Sequence, residues 1–311
     1  MDRVAILIPC YNESKTVGKV IADFKQYVPE AVIYVYDNNS DDGTDEIARD
    51  AGAIVRYEHK QGKGHVIRRM FREIQAECYL MVDGDCTYSA KDAPEMIMQV
   101  LNNNADMVIG DRLSSTYFEE NKRMFHNTGN RLVRSTINTL FETDISDIMT
   151  GYRALSYAFV KTFPVLSSGF EIETEMTIHA VDKGMQIATV VTEYKDRPAG
   201  SNSKLNTIRD GMKVIKTIFD LWRLYKPLKF FTCAALILMV IDMAVFVPVV
   251  LIPYINTGLV LTFPTLIVCG FVMLAAIVAI FVGIMLDTII RNEKSEFEFR
   301  LQVINILNSK K

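Results

Sequence analysis

From Leu228 to Ile290 the chain is almost uncharged, while the 220 or so residues before it have the charge density of a soluble protein. Crossing the hydrocarbon of a bilayer takes roughly 20 apolar residues. Two segments meet that length, one from about Phe230 to Ile252 and one from about Leu266 to Leu286. The stretch between them, PYINTGLVLTFPT, carries no charge. Basic residues stand on the other flanks: Lys213, Lys216, Arg223, Lys226 and Lys229 before the first segment, Arg291, Lys294 and Arg300 after the second. Basic flanks stay on the cytoplasmic side of a membrane. The pattern therefore predicts a transmembrane hairpin over 229–290 with a short outer turn. Asp242 lies inside the first span, where a charge is costly and takes a partner. A neighbouring helix, a second subunit or protonation would each meet that need.

Before the hairpin, Leu205, Ile208, Met212, Ile215, Phe219 and Trp222 recur at steps of three and four, with Arg209, Lys213, Lys216 and Arg223 between them. This predicts an amphipathic juxtamembrane helix over 205–228, lying on a membrane surface or against the preceding domain. Residues 291–311 are expected to form a cytoplasmic tail. No secretory signal precedes the first apolar run, so the N-terminal part is expected in the cytosol of a multi-pass inner-membrane protein, with both termini cytoplasmic.

Of 311 residues, this leaves 1–204 for a soluble domain. Strand-like and helix-like segments alternate there. VAILIP, AVIYVYDN, AIVRYE, CYLMVDGD and DMVIGDR read as strands. SKTVGKVIADFKQYV, opened by Ser14, reads as a helix, as do DGTDEIARDAG (ending at Gly52), GHVIRRMFREIQA and DAPEMIMQVLNNN. Such alternation predicts an α/β domain with a mostly parallel sheet covered on both faces. Ligands of open α/β sheets sit at the carboxyl ends of the strands, and three of those ends carry acidic or amide groups: CYNES, DNNSDDGT and DGDCTYS.

Several function classes are disfavoured. The net charge of −3 lacks the basic excess of a nucleic-acid binder. The five cysteines and four histidines are scattered without metal-ligand or disulfide spacing. No GxxxxGK[ST] loop occurs; QGKGH (Gln61 to His65) offers two glycines and a lysine ahead of a helix, a weaker phosphate-binding pattern. A processive polysaccharide synthase would need a Q-x-x-R-W element and more spans.

Asp83 and Asp85 lie two apart, so they project from one face of a strand end. Two carboxylates so placed repel unless a cation lies between them or one is protonated. DGDCT fits the D-x-D metal motif of nucleotide-sugar glycosyltransferases. It also fits D-x-D-x-T, the signature of haloacid-dehalogenase-type phosphatases, whose first aspartate is a nucleophile. That signature normally ends a first strand, whereas three βα units precede it here. A non-catalytic membrane scaffold is the third reading.

The ordered series IPCYNES, YDNNSDDGT, GKG and DGD resembles family 2 glycosyltransferases with the GT-A fold. DIMTGYR, GFEIETE and SNSKLN resemble the polyprenyl-phosphate branch of that family, over about residues 1–225. The resemblance implies an inverting transfer of a sugar from a nucleoside diphosphate sugar to undecaprenyl or another polyprenyl phosphate, giving a lipid-linked sugar for cell-envelope glycans. UDP-glucose and UDP-N-acetylglucosamine are favoured as donors over GDP-mannose. By the same resemblance Pro9, Tyr11, Glu13, Asp37, Asp41, Lys63 and Asp83 bind the nucleotide sugar. Asp83 and Asp85 hold Mg²⁺ or Mn²⁺, hard oxygen donors for a hard cation. Arg112, Arg123, Arg131, Arg197 and Lys204 gather the acceptor phosphate, and Asp147, Asp85 and Arg112 act in catalysis. Asp147 is implied as a base or as a group orienting the sugar or an arginine; Glu171 and Glu173 are within the set that could reach the sugar. Relatives often place glutamine two residues after the second aspartate, where this chain has Thr87. Partners implied are the nucleotide sugar, the lipid acceptor, membrane lipid, a second copy of the chain and a small membrane protein.

Overall fold

The computed structural model describes residues 1–112, 134–169, 171–194 and 219–309. These fall into two compact units, one formed by the described residues up to 194 with 299–309, the other by 219–298.

The first unit is built on seven strands: β1 Asp2–Cys10, β2 Val32–Asp37, β3 Ile54–Tyr57, β4 Ala76–Met81, β5 Met107–Asp111, β6 Arg153–Ser156 and β7 Ile187–Val191. Their order across the sheet is β3-β2-β1-β4-β6-β5-β7. All neighbouring pairs are parallel except those of β6, which runs antiparallel to both β4 and β5. The central strands carry long apolar runs, as a sheet covered on both faces requires: Val4 to Ile8 and Cys78 to Met81 are all buried.

The helices between the strands bury stripes spaced by three and four. In α1 (Val17–Tyr27) these are Val17, Val20, Ile21 and Phe24. α2 (Thr44–Asp50) buries Thr44 and Ala48, and ends where Gly52 takes φ +81°. In α3 (Lys63–Glu73) the stripe is Val66, Ile67, Met70 and Phe71, and in α4 (Ala93–Leu101) it is Ala93, Met96, Ile97 and Val100. α1 begins after Thr16 rather than at Ser14, whose N–H donates to Asp42 Oδ2.

β6, α5 (Tyr157–Thr162), α6 (Ile172–Asp182) and β7 complete the unit. Ser156 caps α5, its Oγ accepting from Phe159 N at 3.0 Å. α6 is buried on every side, with Glu173, Thr174, Thr177 and His179 enclosed along with Ile172, Met176 and Ile178.

In the second unit two helical stretches, Pro227–Thr257 and Phe263–Ile304, are long and apolar enough to cross a membrane. The first consists of α7 (Pro227–Phe246), a π-helical turn Val247–Leu251 and α8 (Ile252–Thr257). Pro248 and Pro253 lack the N–H that a regular ladder needs, which accounts for the wide turn between them. The two stretches pack on one another. A Cβ on Gly283 would lie 3.1 Å from Phe231 Cβ and 3.5 Å from Pro227 O, so glycine permits this close approach. Asp242 is buried and shares a hydrogen bond with the Cys269 thiol of the second stretch, so its partner is a neighbouring helix of the same hairpin. The helical boundaries differ from those expected. The first stretch runs on to Thr257, and α9 (Phe263–Ser309) continues through the segment expected as a separate tail. Past Ile290 its surface turns polar, beginning with an Arg291–Asp287 ion pair at 2.9 Å. Of the expected juxtamembrane helix, 205–218 lies outside the described residues; 219–225 is helical, and Phe219 and Trp222 set their rings edge-on to Phe230.

Candidate active site

The carboxyl ends of β1, β2 and β4 meet at one edge of the sheet, and the loops that follow them are laced together. Asn38 N donates to Cys10 O, Asn12 N to Ser40 Oγ, Asp41 N to Asn12 Oδ1, and Glu13 N to Thr44 Oγ1, all at 2.9–3.0 Å. Asn12 and Asn39 take φ of +55° and +65°, a conformation asparagine tolerates in tight turns. Asn38, buried, donates to Glu58 O and Lys60 O and accepts from Gly62 N, binding the loop after β3 to the same edge.

Within this edge Tyr11 is 43% exposed. Glu13 accepts from Thr16 Oγ1 through Oε2. Pro9 is half-buried in β1 opposite Tyr36, and Asp41 is exposed. Asp37 is buried; Oδ1 accepts from Ser40 N at 3.0 Å, while Oδ2 has no hydrogen-bond partner among the described residues.

Asp83 and Asp85 follow β4. Asp85 is buried, and its Oδ1 accepts from Thr87 Oγ1 at 2.6 Å and Thr87 N at 3.2 Å. Thr87 thus orients a carboxylate; this is its role where the family pattern suggests a further metal contact. Asp83 is the more open of the two, its side chain 26% exposed, and it is paired with the Lys63 ammonium. Lys63 Nζ also donates to Glu173 Oε1 at 2.7 Å, with both side chains nearly buried. Burial works against the charge on Lys63, but the two carboxylates outweigh it and hold its pKa above the ordinary lysine value. Burial likewise pushes the Glu173 carboxyl up, opposed by Lys63.

Gly151 lies against Asp83: a Cβ there would come within 2.3 Å of Asp83 Oδ2. Its N–H donates to Tyr88 Oη at 3.0 Å, and Thr150 Oγ1 reaches the same oxygen at 3.3 Å. Behind the turn stands Arg153, fully buried, donating to Ile148 O at 2.7 Å and Thr150 O at 3.1 Å. Burial drags its pKa down to about 10 against the raising effect of the Glu173 and Asp147 carboxylates, so it still carries its charge at neutral pH.

Arg112 and Asp147 form one structure. Arg112 Nε donates to Asp147 Oδ2 at 2.8 Å, Nη2 to Met149 O at 3.1 Å, and the guanidinium lies 5.5 Å from the Tyr194 ring. Asp147 Oδ1 accepts from Met149 N. Burial raises the Asp147 carboxyl and the Arg112 charge counters it.

The QGKGH glycines serve packing. A Cβ on Gly62 would lie 2.2 Å from Ser168 O, and one on Gly64 2.2 Å from Ser167 O. Gly64 N donates to Ser168 O, so the first turn of α3 is occupied by protein backbone rather than left open as a phosphate cradle. Glu175 holds that backbone in turn, accepting from Leu166 N and Ser167 N. Of this motif only Lys63 faces the acidic centre. Glu171 is exposed. Arg123, Arg131, Arg197 and Lys204 lie outside the described residues.

The model of the family described as "Glycosyl transferase family 2" matches residues 5–163. The chain belongs to this family. The glycosyltransferase AglJ of Haloferax volcanii is 37% identical over 231 residues, 74% of this chain and 75% of that protein. A dolichyl-phosphate hexose transferase of the same organism is 27% identical over 217 residues, 70% of this chain and 92% of the other. Among solved structures, glucosyl-3-phosphoglycerate synthase from Mycobacterium tuberculosis superposes with a TM-score of 0.56 at 19% identity, covering 71% of this chain and 78% of that one, and so shares its fold. The family 2 glycosyltransferase therefore has the GT-A architecture, with the D-x-D pair at the end of β4 as its fourth strand. The phosphatase and scaffold readings of DGDCT fall with that membership.

Sequence reasoning missed Arg153, Tyr88, Gly151 and Asn38 as site-forming residues. Tyr88, Gly151 and Asn38 touch parts of the chain distant in sequence, for which spacing carries no signal, whereas Arg153 braces its own turn through Thr150 O and Ile148 O.

Proposed function

We propose that this glycosyltransferase moves one sugar from a nucleoside diphosphate sugar to a polyprenyl phosphate at the cytoplasmic face of a membrane, with inversion at the anomeric carbon. The observation that carries the reading is the Asp83–Asp85 pair at a family 2 sheet edge in a chain that continues into two membrane-length helices. Similarity to a dolichyl-phosphate hexose transferase supports the lipid acceptor. Confinement of the acceptor to a bilayer gives the anchor its purpose, since it holds enzyme and lipid together.

A phosphate oxygen of the lipid attacks the anomeric carbon, and the bond from that carbon to the diphosphate oxygen breaks, its electron pair leaving with the nucleoside diphosphate. The lipid phosphate is already ionised, so no strong base is needed. Asp147 accordingly serves to orient Arg112 toward the phosphate, a bracket rather than a base. Tyr11, Glu13, Asp37 and Asp41 line the nucleotide pocket, and Arg123, Arg131, Arg197 and Lys204 complete the acceptor site. The residues fit a hard divalent cation, Mg²⁺ or Mn²⁺. Asp83 and Asp85 offer oxygen donors at the strand end, and the missing side chain of Gly151 leaves room beside Asp83. Among the described residues no cluster of three metal-ligating side chains occurs; a cation held by the two aspartates would take further oxygens from the diphosphate and water. When bound, the cation offsets charge on the departing diphosphate.

The test offers the membrane-reconstituted protein labelled UDP-glucose, UDP-N-acetylglucosamine and GDP-mannose, with polyprenyl phosphate and Mg²⁺ or Mn²⁺. One donor, expected among the first two, should give organic-extractable label that Asp83→Asn abolishes. Folded, membrane-bound protein that labels lipid from no nucleotide sugar would sink the proposal.

A further inference from the structure

Lys63 stands where a cation would. Its ammonium bridges Asp83 and Glu173, and its side chain is only 7% exposed. We propose that Lys63 is an internal stand-in for the metal, holding Asp83 until a diphosphate arrives, and so makes metal binding depend on the nucleotide sugar. The inference rests on the metal reading given above and deepens it.

The argument is one of charge and reach. Asp83 and Glu173 bring two carboxylates to one ammonium, and like charges so close must be balanced. Without substrate the balance on Asp83 comes from Lys63. A divalent cation entering alone must share Asp83 with an ammonium already hydrogen-bonded to it, and the two positive charges repel across a poorly solvated gap. A diphosphate changes the balance, because it brings negative oxygens that take up both the metal and the ammonium. Lysine suits the exchange, being a point charge on a flexible stem with three donors. It can leave Asp83 for a phosphate oxygen while keeping Glu173, which is carried on α6 and is not a D-x-D residue. Thr87 fixes Asp85 Oδ1 through its hydroxyl and its backbone N–H, contacts that carry no positive charge. The two aspartates are therefore held differently: Asp85 accepts from a hydroxyl, and Asp83 from an ammonium.

The readout is Mn²⁺ binding to the full-length protein, followed by the EPR signal of free Mn²⁺, with and without UDP. For the wild type UDP should tighten Mn²⁺ by well over tenfold. Lys63→Met should bind Mn²⁺ alone about tenfold more tightly than the wild type, and the gain given by UDP should shrink by a similar factor. Glu173→Gln removes the carboxylate that shares Lys63 with Asp83 and should move both quantities the other way: weaker Mn²⁺ without nucleotide, a larger gain with it. Lys60→Met removes an exposed cation three residues away and should change neither. The opposite movement of the UDP-linked gain separates a competing ammonium from a general change in local charge, which would shift affinity but leave the gain constant. The proposal is overturned if the gain is the same in wild type and Lys63→Met, or, should that variant fail to fold, in wild type and Glu173→Gln. Wild-type protein that binds no Mn²⁺ even with UDP would overturn the metal reading and this proposal together. Unaltered gains alongside working lipid transfer would overturn this proposal alone.

Discussion

Gly151 and Thr87 each control one aspartate, and each does so by a contact a single methyl or hydroxyl decides. Gly151→Ala places a Cβ 2.3 Å from Asp83 Oδ2. The carboxylate is partly exposed and can swing away, so the fold should hold while the metal position is lost. We expect kcat/KM to fall by about 100-fold, about 2.7 kcal/mol of transition-state stabilisation, with a thermal midpoint near that of the wild type. Steady-state kinetics and calorimetry on one preparation check both halves. At Thr87 the hydroxyl is the second support of a ligand, and losing such a support costs metal affinity about 10- to 100-fold. Thr87→Val should show that loss in Mn²⁺ titrations made with UDP present, and Thr87→Ser should restore most of it. An equal effect of both substitutions would mean that packing, not the hydroxyl, is what matters there.

Among the elements, α3 and α6 form the walls of the acidic corner, and they respond to different perturbations. Gly64→Ala drives a Cβ into the backbone carbonyl of Ser167 at 2.2 Å, where no flexible side chain can give way. The expected cost is about 1–3 kcal/mol of stability, visible as a lowered thermal midpoint, together with a displaced Lys63. In α6, burial drags the His179 pKa down to about 4, with the Lys183 charge adding to the effect and Asp182 opposing it. The unfolded chain takes a proton on this imidazole near pH 6.5, whereas the folded one refuses it until about pH 4. Stability is thus lost as pH falls through that interval, by about 2 kcal/mol between pH 7 and pH 5. His179→Gln should flatten that part of the pH profile of the thermal midpoint. The same two helices mark the limit of what could be read in advance. α3 has an apolar stripe at helical spacing and follows a visible glycine turn. α6 is enclosed on all sides and so has no stripe to detect, and β6 is four residues opening on an arginine, without the apolar run that marked β1 to β5. The acidic pair was legible because two carboxylates at spacing two follow an apolar strand, although they stand in the turn beyond β4 and not on one face of the strand as expected. Its surroundings were not: the Lys63–Glu173 and Asp83–Gly151 contacts join residues far apart in sequence, and only the folded sheet brings them together.

Over the whole molecule, a soluble-type α/β unit and an apolar hairpin share one chain, and each makes its own demand. The hairpin should keep the protein in the membrane pellet after alkaline carbonate extraction, and detergent should release it intact; recovery in the carbonate supernatant would contradict the spanning assignment. The sheet makes a demand in time. Among the described strands β5 pairs with β6 and β7, both of which come after it in the chain. β4 likewise lacks its second neighbour until β6 has been made. While the ribosome is still short of residue 153, the nascent protein therefore presents one open apolar edge and one unpaired strand, the situation in which chains aggregate. The four residues Arg153–Ser156 close both at once. The arginine that leads them in also braces the turn carrying Gly151, so the step that seals the sheet during synthesis is the step that shapes the active centre.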